Sequence, residues 1–581
     1  MIDYLSELKK DLLNLINYLL QEKIIQKDFK INNISIDYLS KSKKGDVSTN
    51  LFILLKKNKI DKEINLENIL NEKINNFEYI EKINIAKEGF INIFFDKKYI
   101  IKHLNYVLNK SKNYGRNNSG KNKKINIEFV SANPTGPIHI AHLRGAVFGD
   151  VISSIMEENG FNVTREYYIN DSGTQIEVLG NSLFKRYQQL FGKKTELLNS
   201  EYPGEYLIDL AKKIKTNDND KWLDSDELNR KKYFQKYAVQ ELLFDIKNDL
   251  QSLDIIFDNY VYESKIIEKK LIAEVILNLN DKKLIYEGIL EKPKGEDQID
   301  WSPRKQLLFK STKFLDEVDR PLKKENGEWT YFANDAAYHY DKYLRKYNQL
   351  INIWGADHIG YIKRMESIIS ATTNNENYLK VIVCQIVRLF KDGQIIKMSK
   401  RDGNFITLKN ILKDVNKDSL RYFMISTKNE TPIDFNLDKV IDKNKDNPVF
   451  YCQYAYARAS SIINKSKDYD EFKNLSKLFD MFDYSSLSKY EWNIILKIIS
   501  WPYLLKQTSH SLQPHKITNY IEDLSSNFHS FWNMGKDNKN LRFLNLEDKK
   551  KTITKLLWIE CFRIVLKRCF EIIGIESHEK M

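Results

Sequence analysis

Leucines spaced three and four residues apart open the chain: Leu5, Leu8, Leu12, Leu15 and Leu19. Side chains at this spacing share one face of a helix, so the segment predicts an amphipathic α-helix. Further on, short apolar runs such as Phe90–Phe94 carry a polar residue at their centre, which is typical of half-buried strands. We therefore predict an N-terminal α+β unit over residues 1–110.

The rest of the chain divides into three further stretches. Residues 111–124 are rich in Asn, Gly and Lys, which predicts a linker that isolates the first unit. Strand and helix patterns then alternate over residues 125–446, as a parallel sheet with crossover helices requires. Residues 447–581 are helical throughout, with one apolar stripe near the end formed by Leu557, Cys561, Ile564, Val565 and Cys569. The boundary between core and bundle stays open within residues 434–447.

Composition changes this picture only slightly. A chain of 581 residues with 42% hydrophobic residues is long enough for several domains with real cores. The net charge of +13 suits a polyanionic partner. Because the chain is also rich in Lys, Ile and Asn, the residues of A/T-rich codons, the charge supports nucleic-acid binding only weakly.

The cysteines and the apolar segments exclude several classes of protein. The four cysteines are scattered, without a C-x-x-C pair or a Cys/His cluster, so we expect no zinc and no disulfide framework: Cys384, Cys452, Cys561 and Cys569. The N-terminus carries no secretory signal pattern, and no segment is long and apolar enough to span a bilayer. We expect a cytoplasmic protein without a membrane partner.

Two short motifs carry the candidate chemistry. After an apolar run and a Pro/Gly turn, His139 and His142 lie three residues apart at a predicted helix start, where free N–H groups attract phosphate. Far downstream, Lys397–Arg401 forms a second cluster of phosphate-seeking donors. Taken singly, the two could be ordinary histidines and a solvated lysine loop. Their order, and the domain-sized stretch between them, favour one phosphate site.

The two motifs resemble the HIGH and KMSK signatures of class I aminoacyl-tRNA synthetases, here at residues 132–142 and 397–401. Further segments narrow the resemblance to the arginyl-tRNA synthetases: residues 128–137, 142–150, 166–175, 202–206, 331–341, 354–358 and 447–458. Residues 45–50 and 89–94 are similar to that family's additional tRNA-binding domain. The resemblance implies a Rossmann-like parallel-sheet catalytic core, preceded by the α+β domain and followed by an α-helical anticodon-binding bundle.

The activity implied is ATP-dependent attachment of L-arginine to tRNA(Arg) through an arginyl-adenylate, with Mg²⁺ bound to the nucleotide and a monomeric enzyme. Two alternatives stay open. One is a class I synthetase for another amino acid, and the other is a tRNA-binding paralogue whose catalytic site has decayed.

The resemblance also implies roles for individual residues. Four would act on the phosphates during catalysis: His139, His142, Lys397 and Lys400. Six would bind ATP: Pro137, Ala141, Asp357, His358, Met398 and Ser399. Six would bind arginine: Glu128, Ser131, Asn133, Glu263, Tyr331 and Asp335. Three would contact tRNA: Tyr454, Tyr456 and Arg458. No residue is assigned to a metal.

Physical chemistry supports an acidic arginine pocket. A guanidinium is a planar fork of donors, best met by a carboxylate with other acceptors around it. Asp335 and Tyr331 are one helical turn apart and could face one pocket, which we favour over a helix cap or a surface acid for Asp335. For Glu263, a pocket acid and an ordinary helix acid stay equally open. Ala141 replaces the usual Gly of the HIGH pattern, but its methyl group can still allow adenine to approach the backbone, so we expect activity to be retained.

Aromatic residues of the last block allow two interpretations. Most should belong to the core of the bundle, whereas Tyr454 and Tyr456 could stack on unpaired anticodon bases. Many relatives in the family carry His where Tyr456 stands, a difference that concerns tRNA contact rather than chemistry.

Overall fold

The protein is described here by a computed structural model that covers residues 3–26, 34–38, 45–57, 64–290, 303–314, 316–396, 406–442, 444 and 446–581. Its first domain combines four helices with an antiparallel sheet of strand order β1-β2-β4-β3. The elements are α1 (Tyr4–Gln21), β1 (Ile36–Tyr38), β2 (Val47–Thr49), α2 (Leu51–Lys56), α3 (Leu66–Asn75), β3 (Ile80–Ile85), β4 (Ile91–Phe95) and α4 (Lys97–Lys110). The carboxylate of Asp3 caps α1 by accepting from the amide of Ser6, and the five leucines predicted to share a face are buried.

The central region is built around a five-stranded parallel sheet with strand order β12-β11-β5-β6-β7. Its elements are β5 (Lys124–Glu128), α5 (Ile140–Glu158), β6 (Asn162–Ile169), α6 (Thr174–Gln189), α7 (Tyr206–Asp218), α8 (Glu227–Gln251), β7 (Asn259–Tyr262), α9 (Glu263–Glu268), α10 (Leu271–Asp281), β8 (Ile285–Gly288), β9 (Gln306–Phe309), β10 (Arg320–Pro321), α11 (Tyr331–Leu344), β11 (Gln349–Gly355), α12 (Ile362–Thr373), β12 (Leu379–Cys384), β13 (Val387–Lys391), β14 (Gln394–Ile395), α13 (Leu408–Asp414), α14 (Lys417–Ile425), β15 (Ile433–Asn436) and α15 (Leu437–Ile441). Smaller sheets have the orders β10-β9-β8 and β14-β13-β15.

The strand order locates the site. The chain starts at the central strand β5, moves outward through β6 and β7, and then returns to place β11 and β12 on the other side of β5. This doubly wound arrangement leaves a crevice at the carboxyl ends of β5 and β11, where open α/β sheets bind their ligands. The predicted α/β class with a Rossmann-like core is confirmed.

The C-terminal region is a helical bundle of α16 (Pro448–Ser466), α17 (Lys489–Ser511), α18 (His515–Asp537) and α19 (Lys549–Ile573). Short 3₁₀ helices lie between them at Asp470–Phe472, Leu475–Met481, Tyr484–Ser486 and Lys539–Leu541. The stripe predicted on the last helix packs in the core, with Leu557, Cys561, Val565 and Cys569 fully buried.

The segment at residues 111–124 does not isolate the first domain, which corrects the sequence interpretation. Tyr114 is 2% exposed, and its hydroxyl donates to the carbonyl of Ile499 on α17 at 3.3 Å. Gly115 has φ +96°, and a Cβ there would lie 2.5 Å from the indole nitrogen of Trp501. The domain itself packs on α17 as well, since Tyr4 donates to the carbonyl of Leu496 at 3.1 Å. The segment is therefore part of a shared core.

Candidate active site

The loop that follows β5 turns sharply at the centre of the crevice. Val130 and Ser131 have φ values of 66° and 38°, a left-handed conformation that non-glycine residues adopt rarely. The hydroxyl of Ser131 donates to Oε1 of Glu128 at 3.0 Å and accepts from the amide of Tyr168 at 3.0 Å. These bonds hold the strained turn against β6 and fix the buried carboxylate of Glu128.

Four polar residues form a row across neighbouring strands of the sheet. The strand registers place Asn352 beside Glu128, Glu128 beside Glu166, and Glu166 beside Asn259. Asn352 and Glu166 are fully buried and Glu128 is nearly so. Such a row is costly to bury unless its members are satisfied by hydrogen bonds or opposite charge.

Cations from the end of α11 supply that compensation. Lys342, also fully buried, donates to Oε2 of Glu128 at 2.6 Å, while Arg345 pairs with both oxygens of Glu166. Burial opposes ionisation of Glu166, but the bonds from Arg345 and the charge of Lys342 outweigh it and lower the pKa to about 2. Sequence reasoning missed Lys342 and Glu166 as parts of the site.

Two further acids lie at the same end of the sheet without such compensation. Asp335 on α11 accepts a 2.7 Å hydrogen bond from the hydroxyl of Tyr361, and Glu263 at the start of α9 accepts from Ser172 at 2.8 Å. Among the described residues neither acid makes an ion pair. Burial, reinforced by the charges of Glu263 and Glu128, raises the pKa of Asp335 to about 7. Burial likewise raises the pKa of Glu263. The pocket is therefore acidic, and a cation bound there would favour the ionised form of both carboxyl groups.

A tyrosine hydroxyl stands in the same acidic surroundings. Tyr168 stacks on Tyr338 with ring centroids 4.0 Å apart and an interplanar angle of 16°. Its buried hydroxyl has no hydrogen-bond partner within the described ranges, and burial together with the charges of Glu263 and Asp335 raises its pKa far above the usual range. A buried polar atom without a partner is rare and marks a place where a ligand can bind.

Other residues predicted to bind the amino acid are distributed around this pocket. The Asn133 side chain accepts from Asn170 at 2.6 Å and donates to Gln175 at 2.8 Å. Tyr331, the first residue of α11, is 67% exposed, and the ammonium of Lys324 lies 5.7 Å from its ring centre. The structure thus brings Glu128, Ser131 and Asn133 together on one loop, whereas the ring of Tyr331 faces outward one turn before Asp335.

The two predicted histidines meet at the start of α5. His139 is the N-cap residue, and its backbone amide donates to Nδ1 of His142 at 3.4 Å. Their rings lie with centroids 4.0 Å apart, beside the exposed Ala141. The pair therefore lies with the free amides of the first helical turn, where an anion is stabilised.

The second motif lies outside the described residues, namely Lys397, Met398, Ser399 and Lys400. The chain on either side of it is anchored. The amide of Ile396 donates to the carbonyl of Leu389 at 2.9 Å, and Thr407 forms an antiparallel bridge with His139. The amide of Leu408 also donates to the carbonyl of Ile138 at 3.0 Å. The segment that follows the second motif, at Thr407 and Leu408, therefore makes backbone contacts with the histidine motif.

Asp357 and His358 lie in the 3₁₀ helix Ala356–Tyr361, directly after β11. Both are exposed, with Nε2 of His358 3.4 Å from Oδ2 of Asp357. Pro137 lies on the loop between β5 and α5, and β5 pairs with β11, so both loops start from the crevice between these two strands. This is where a doubly wound sheet binds a nucleotide.

The predicted tRNA contacts differ in exposure. The guanidinium of Arg458 lies over the ring of Tyr454, 4.2 Å from its centre, and donates to the hydroxyl of Tyr454 at 3.2 Å. Both side chains are partly exposed and lie one turn apart on α16. Tyr456 is 1% exposed and packs edge-on against Phe570. Its ring cannot stack on a base, so the expectation that Tyr456 contacts tRNA is corrected: it is a core residue.

The part of the chain that the structure describes contains neither a membrane-spanning helix nor a cluster of metal-ligating side chains. None of the helices it contains is both long and apolar enough to cross a bilayer. Within the same ranges, no three His, Cys, Asp or Glu side chains are grouped so that they could hold a metal ion.

Known proteins resemble this chain along its whole length. Residues 103–460 match the family described as "tRNA synthetases class I (R), catalytic domain", residues 7–95 match "Arginyl tRNA synthetase N terminal domain", and residues 452–581 match "DALR anticodon binding domain". Among relatives, the arginine–tRNA ligase of Pelagibacter ubique is 42% identical over 555 residues, covering 95% of each chain. That of Orientia tsutsugamushi is 40% identical over 567 residues, covering 96% of this chain and 95% of the relative. The Thermus thermophilus arginyl-tRNA synthetase structure superposes with a TM-score of 0.71 at 17% identity, over 94% of this chain and 96% of that one, which supports the fold.

Proposed function

The chain belongs to the class I arginyl-tRNA synthetases, and from this premise we propose how its residues bind the substrates and promote the reaction. The enzyme attaches L-arginine to tRNA at the expense of ATP, as its family does through an arginyl-adenylate. The assignment of the pocket rests on two acids, Asp335 and Glu263. Burial raises the pKa of both, and within the described residues neither pairs with a cation.

The guanidinium of arginine would occupy this acidic pocket. Its planar donors would bond the carboxylates of Asp335 and Glu263, and the phenolic oxygen of Tyr168 offers a further acceptor. Burying an unpaired guanidinium costs several kcal/mol of desolvation free energy, and so does burying an unpaired carboxylate. Pairing the two offsets both penalties. A neutral amino acid would leave the acids unpaired, which is the physical basis of selectivity.

The backbone end of arginine would lie toward the sheet. We assign its ammonium to Glu128 and the neighbouring oxygen acceptors of Ser131 and Asn133. Tyr331, whose ring faces outward one turn before Asp335, would cover the bound amino acid from the open side. This places the arginine carboxylate near the crevice between β5 and β11, where the nucleotide would bind.

ATP would bind across that crevice. We assign its adenosine to Pro137, Ala141, Asp357 and His358, with Met398 and Ser399 from the second motif. The methyl group of Ala141 lies exposed at the first turn of α5 and leaves room for an adenine beside the backbone. Mg²⁺ would accompany the phosphates, and we assign it no protein ligand.

The first step needs positioning and charge stabilisation rather than a general base. The arginine carboxylate is already ionised when it attacks the α-phosphate, and pyrophosphate departs. His139 and His142, with the amides of the first turn of α5, would donate to the charge that grows on the phosphate oxygens. Lys397 and Lys400 would neutralise the pyrophosphate. A terminal ribose hydroxyl of tRNA then attacks the adenylate carbonyl and AMP leaves.

The tRNA would contact both ends of the protein. We assign the anticodon to residues 447–581, with Tyr454 and Arg458 as contacts on α16, and the outer corner of the tRNA to residues 1–110. Residues 125–446 would carry the catalysis. We further propose that the enzyme acts as a monomer in the cytoplasm.

Amino-acid-dependent exchange of pyrophosphate into ATP, with tRNA present, tests the assignment. All twenty amino acids are assayed in parallel, and only arginine should support exchange. Exchange with another amino acid would indicate a class I synthetase of different specificity. No exchange with any of them, while tRNA still binds, would indicate a paralogue with a decayed site.

A further inference from the structure

Lys342 is a buried lysine that no part of the proposed reaction uses. Its side chain is fully buried, and its ammonium lies 2.6 Å from Glu128, 3.4 Å from the side-chain oxygen of Asn352 and 3.9 Å from Glu166. The ammonium also lies 4.5 Å from the ring centre of Tyr338. Burying an ammonium is expensive, so a lysine at this position needs partners that repay its desolvation.

Of the two nearby carboxylates, Glu166 is already satisfied. It accepts from both terminal nitrogens of Arg345, from the hydroxyl of Tyr338 at 2.8 Å and from the amide of Asn259 at 2.7 Å. Glu128 has only two donors within the described residues, Lys342 and Ser131, one on each oxygen. Within the described residues, Lys342 is thus the one cation that donates to Glu128, whereas Glu166 also has Arg345.

Each oxygen of Glu128 keeps room for one more donor, because a carboxylate oxygen accepts about two hydrogen bonds. The two protein donors, one on each oxygen, fix the plane of the carboxylate. An incoming ammonium could bond there without displacing either donor.

We propose that Lys342 is a positioning residue for the α-ammonium of the substrate amino acid, acting through Glu128. The inference rests on the proposed function, which assigns that ammonium to Glu128. Without Lys342, the carboxylates of Glu128 and Glu166 would face one another at neighbouring positions of adjacent strands. Glu128 would also lose the hydrogen bond and the opposite charge that hold its carboxylate in place, so it would bind an incoming ammonium less tightly.

A hydrogen-bonded chain ties Lys342 to the other end of the pocket. Asn352 accepts from Lys342 and donates to Nε2 of His339 at 2.8 Å, while Nδ1 of His339 donates to the backbone carbonyl of Asp335 at 2.8 Å. This requires a neutral imidazole, and burial together with the charge of Lys342 lowers the pKa of His339 to about 4. The groups for the two ends of arginine are therefore held in one network.

The test compares two ligands that differ only in the ammonium, L-arginine and 5-guanidinopentanoate. Arginine KM and the inhibition constant of the analogue are measured in tRNA charging for the wild type, Glu128→Gln, Lys342→Met and the double variant. Lys342→Met should raise the arginine KM about 30-fold or more, the loss expected for a broken buried charge pair. The analogue should bind within about threefold of its wild-type affinity, since it has no ammonium to lose.

The double variant separates a positioning role from a structural one. If Lys342 acts through Glu128, adding Lys342→Met to Glu128→Gln should leave the arginine KM nearly unchanged. Additive losses, or equal losses for arginine and the analogue, would overturn the inference. Should Lys342→Met alone fail to fold, the double variant, which removes both charges, still provides the comparison with Glu128→Gln.

Failure of the proposed function gives a different result. If Glu128→Gln weakens arginine and the analogue equally, then Glu128 does not bind the ammonium and the assignment of the pocket is wrong. If Glu128→Gln affects arginine alone while Lys342→Met leaves the arginine KM unchanged, only the role of Lys342 is wrong.

Discussion

The hydroxyl of Tyr361 donates a 2.7 Å hydrogen bond to the carboxylate of Asp335. The two residues come from different elements, since Asp335 lies in the second turn of α11 and Tyr361 ends the 3₁₀ helix after β11. The bond orients one oxygen of the acid before any substrate arrives, and within the described ranges the other oxygen accepts no hydrogen bond. Asp335 is thus held in place for a guanidinium by a residue from another element of the fold.

Replacing Asp335 by Asn should raise the KM for arginine at least tenfold and leave ATP affinity nearly unchanged. The amide keeps the shape of the side chain but turns a donor toward donors, and it leaves a buried cation unpaired at a cost of about 3–5 kcal/mol. Tyr361→Phe, which keeps the charge, is the matched control and should cost less. An arginine KM within about tenfold of the wild type, or 1.4 kcal/mol, would show that Asp335 does not anchor the guanidinium.

Arginine use should also depend on pH near neutrality. Burial, together with the charges of Glu263 and Glu128, raises the pKa of Asp335 to about 7, and only the ionised form attracts a guanidinium. As pH falls below this pKa the acid takes up a proton, so kcat/KM for arginine should fall by up to about tenfold per pH unit. The profile should flatten in Asp335→Asn. A wild-type profile that is flat between pH 6 and 8 (about one unit on either side of the pKa) would contradict this.

His142→Ala and Lys400→Ala should each lower kcat far more than they raise the KM for arginine. Both side chains are proposed to act on charge that grows in the transition state, where one lost donor costs about 2.7–4 kcal/mol. Steady-state charging and single-turnover adenylate formation would measure the effect. Near-wild-type kcat in either variant would refute its assigned role.

Arginine activation should require tRNA. Docking of the tRNA at both ends of the protein would supply binding energy that completes the pocket, so arginine and ATP alone should not be enough. Pyrophosphate exchange is measured with and without tRNA, using periodate-oxidised tRNA as a control that binds but cannot be charged. Robust exchange in the absence of tRNA would disprove the requirement.

The first domain should contribute to tRNA binding through its lysines. Deleting residues 1–110 would be a poor test, because the domain packs on α17, and the truncated protein should be less stable and prone to aggregate. Reversing the charges of Lys41, Lys43 and Lys44, which lie outside the described residues, should instead weaken tRNA binding and flatten the dependence of log affinity on log salt. An unchanged slope with unchanged affinity would leave the domain a purely structural role.

Much of the fold could be predicted from the sequence because buried residues recur at the spacing of the helix or strand that carries them. The leucine spacing in α1 and the alternation of elements in the core both correspond to buried faces. Periodicity does not say which strands are neighbours, however. The order that puts β11 beside β5, and hence the crevice, came only from the structure.

The site was predictable only where its residues belong to one short segment. Glu128, Ser131 and the two histidines lie within fifteen residues of one another in the printed sequence. Lys342, Tyr168 and Tyr361 were missed because they reach the pocket through strand register and helix packing between distant segments. The same limit explains the error at residues 111–124, where a polar composition suggested exposure and only contacts from α17 made Tyr114 part of the core.

The bond from Tyr4 to Leu496 joins residues 492 positions apart in the chain. During synthesis, α1 leaves the ribosome long before the helix that completes its packing. At about 5–20 residues per second, the wait is roughly 25–100 s. Throughout that time the apolar face of the first helix lacks part of its final cover. Nascent chains should therefore need a chaperone early, and the N-terminal domain should become resistant to protease only after α17 has emerged.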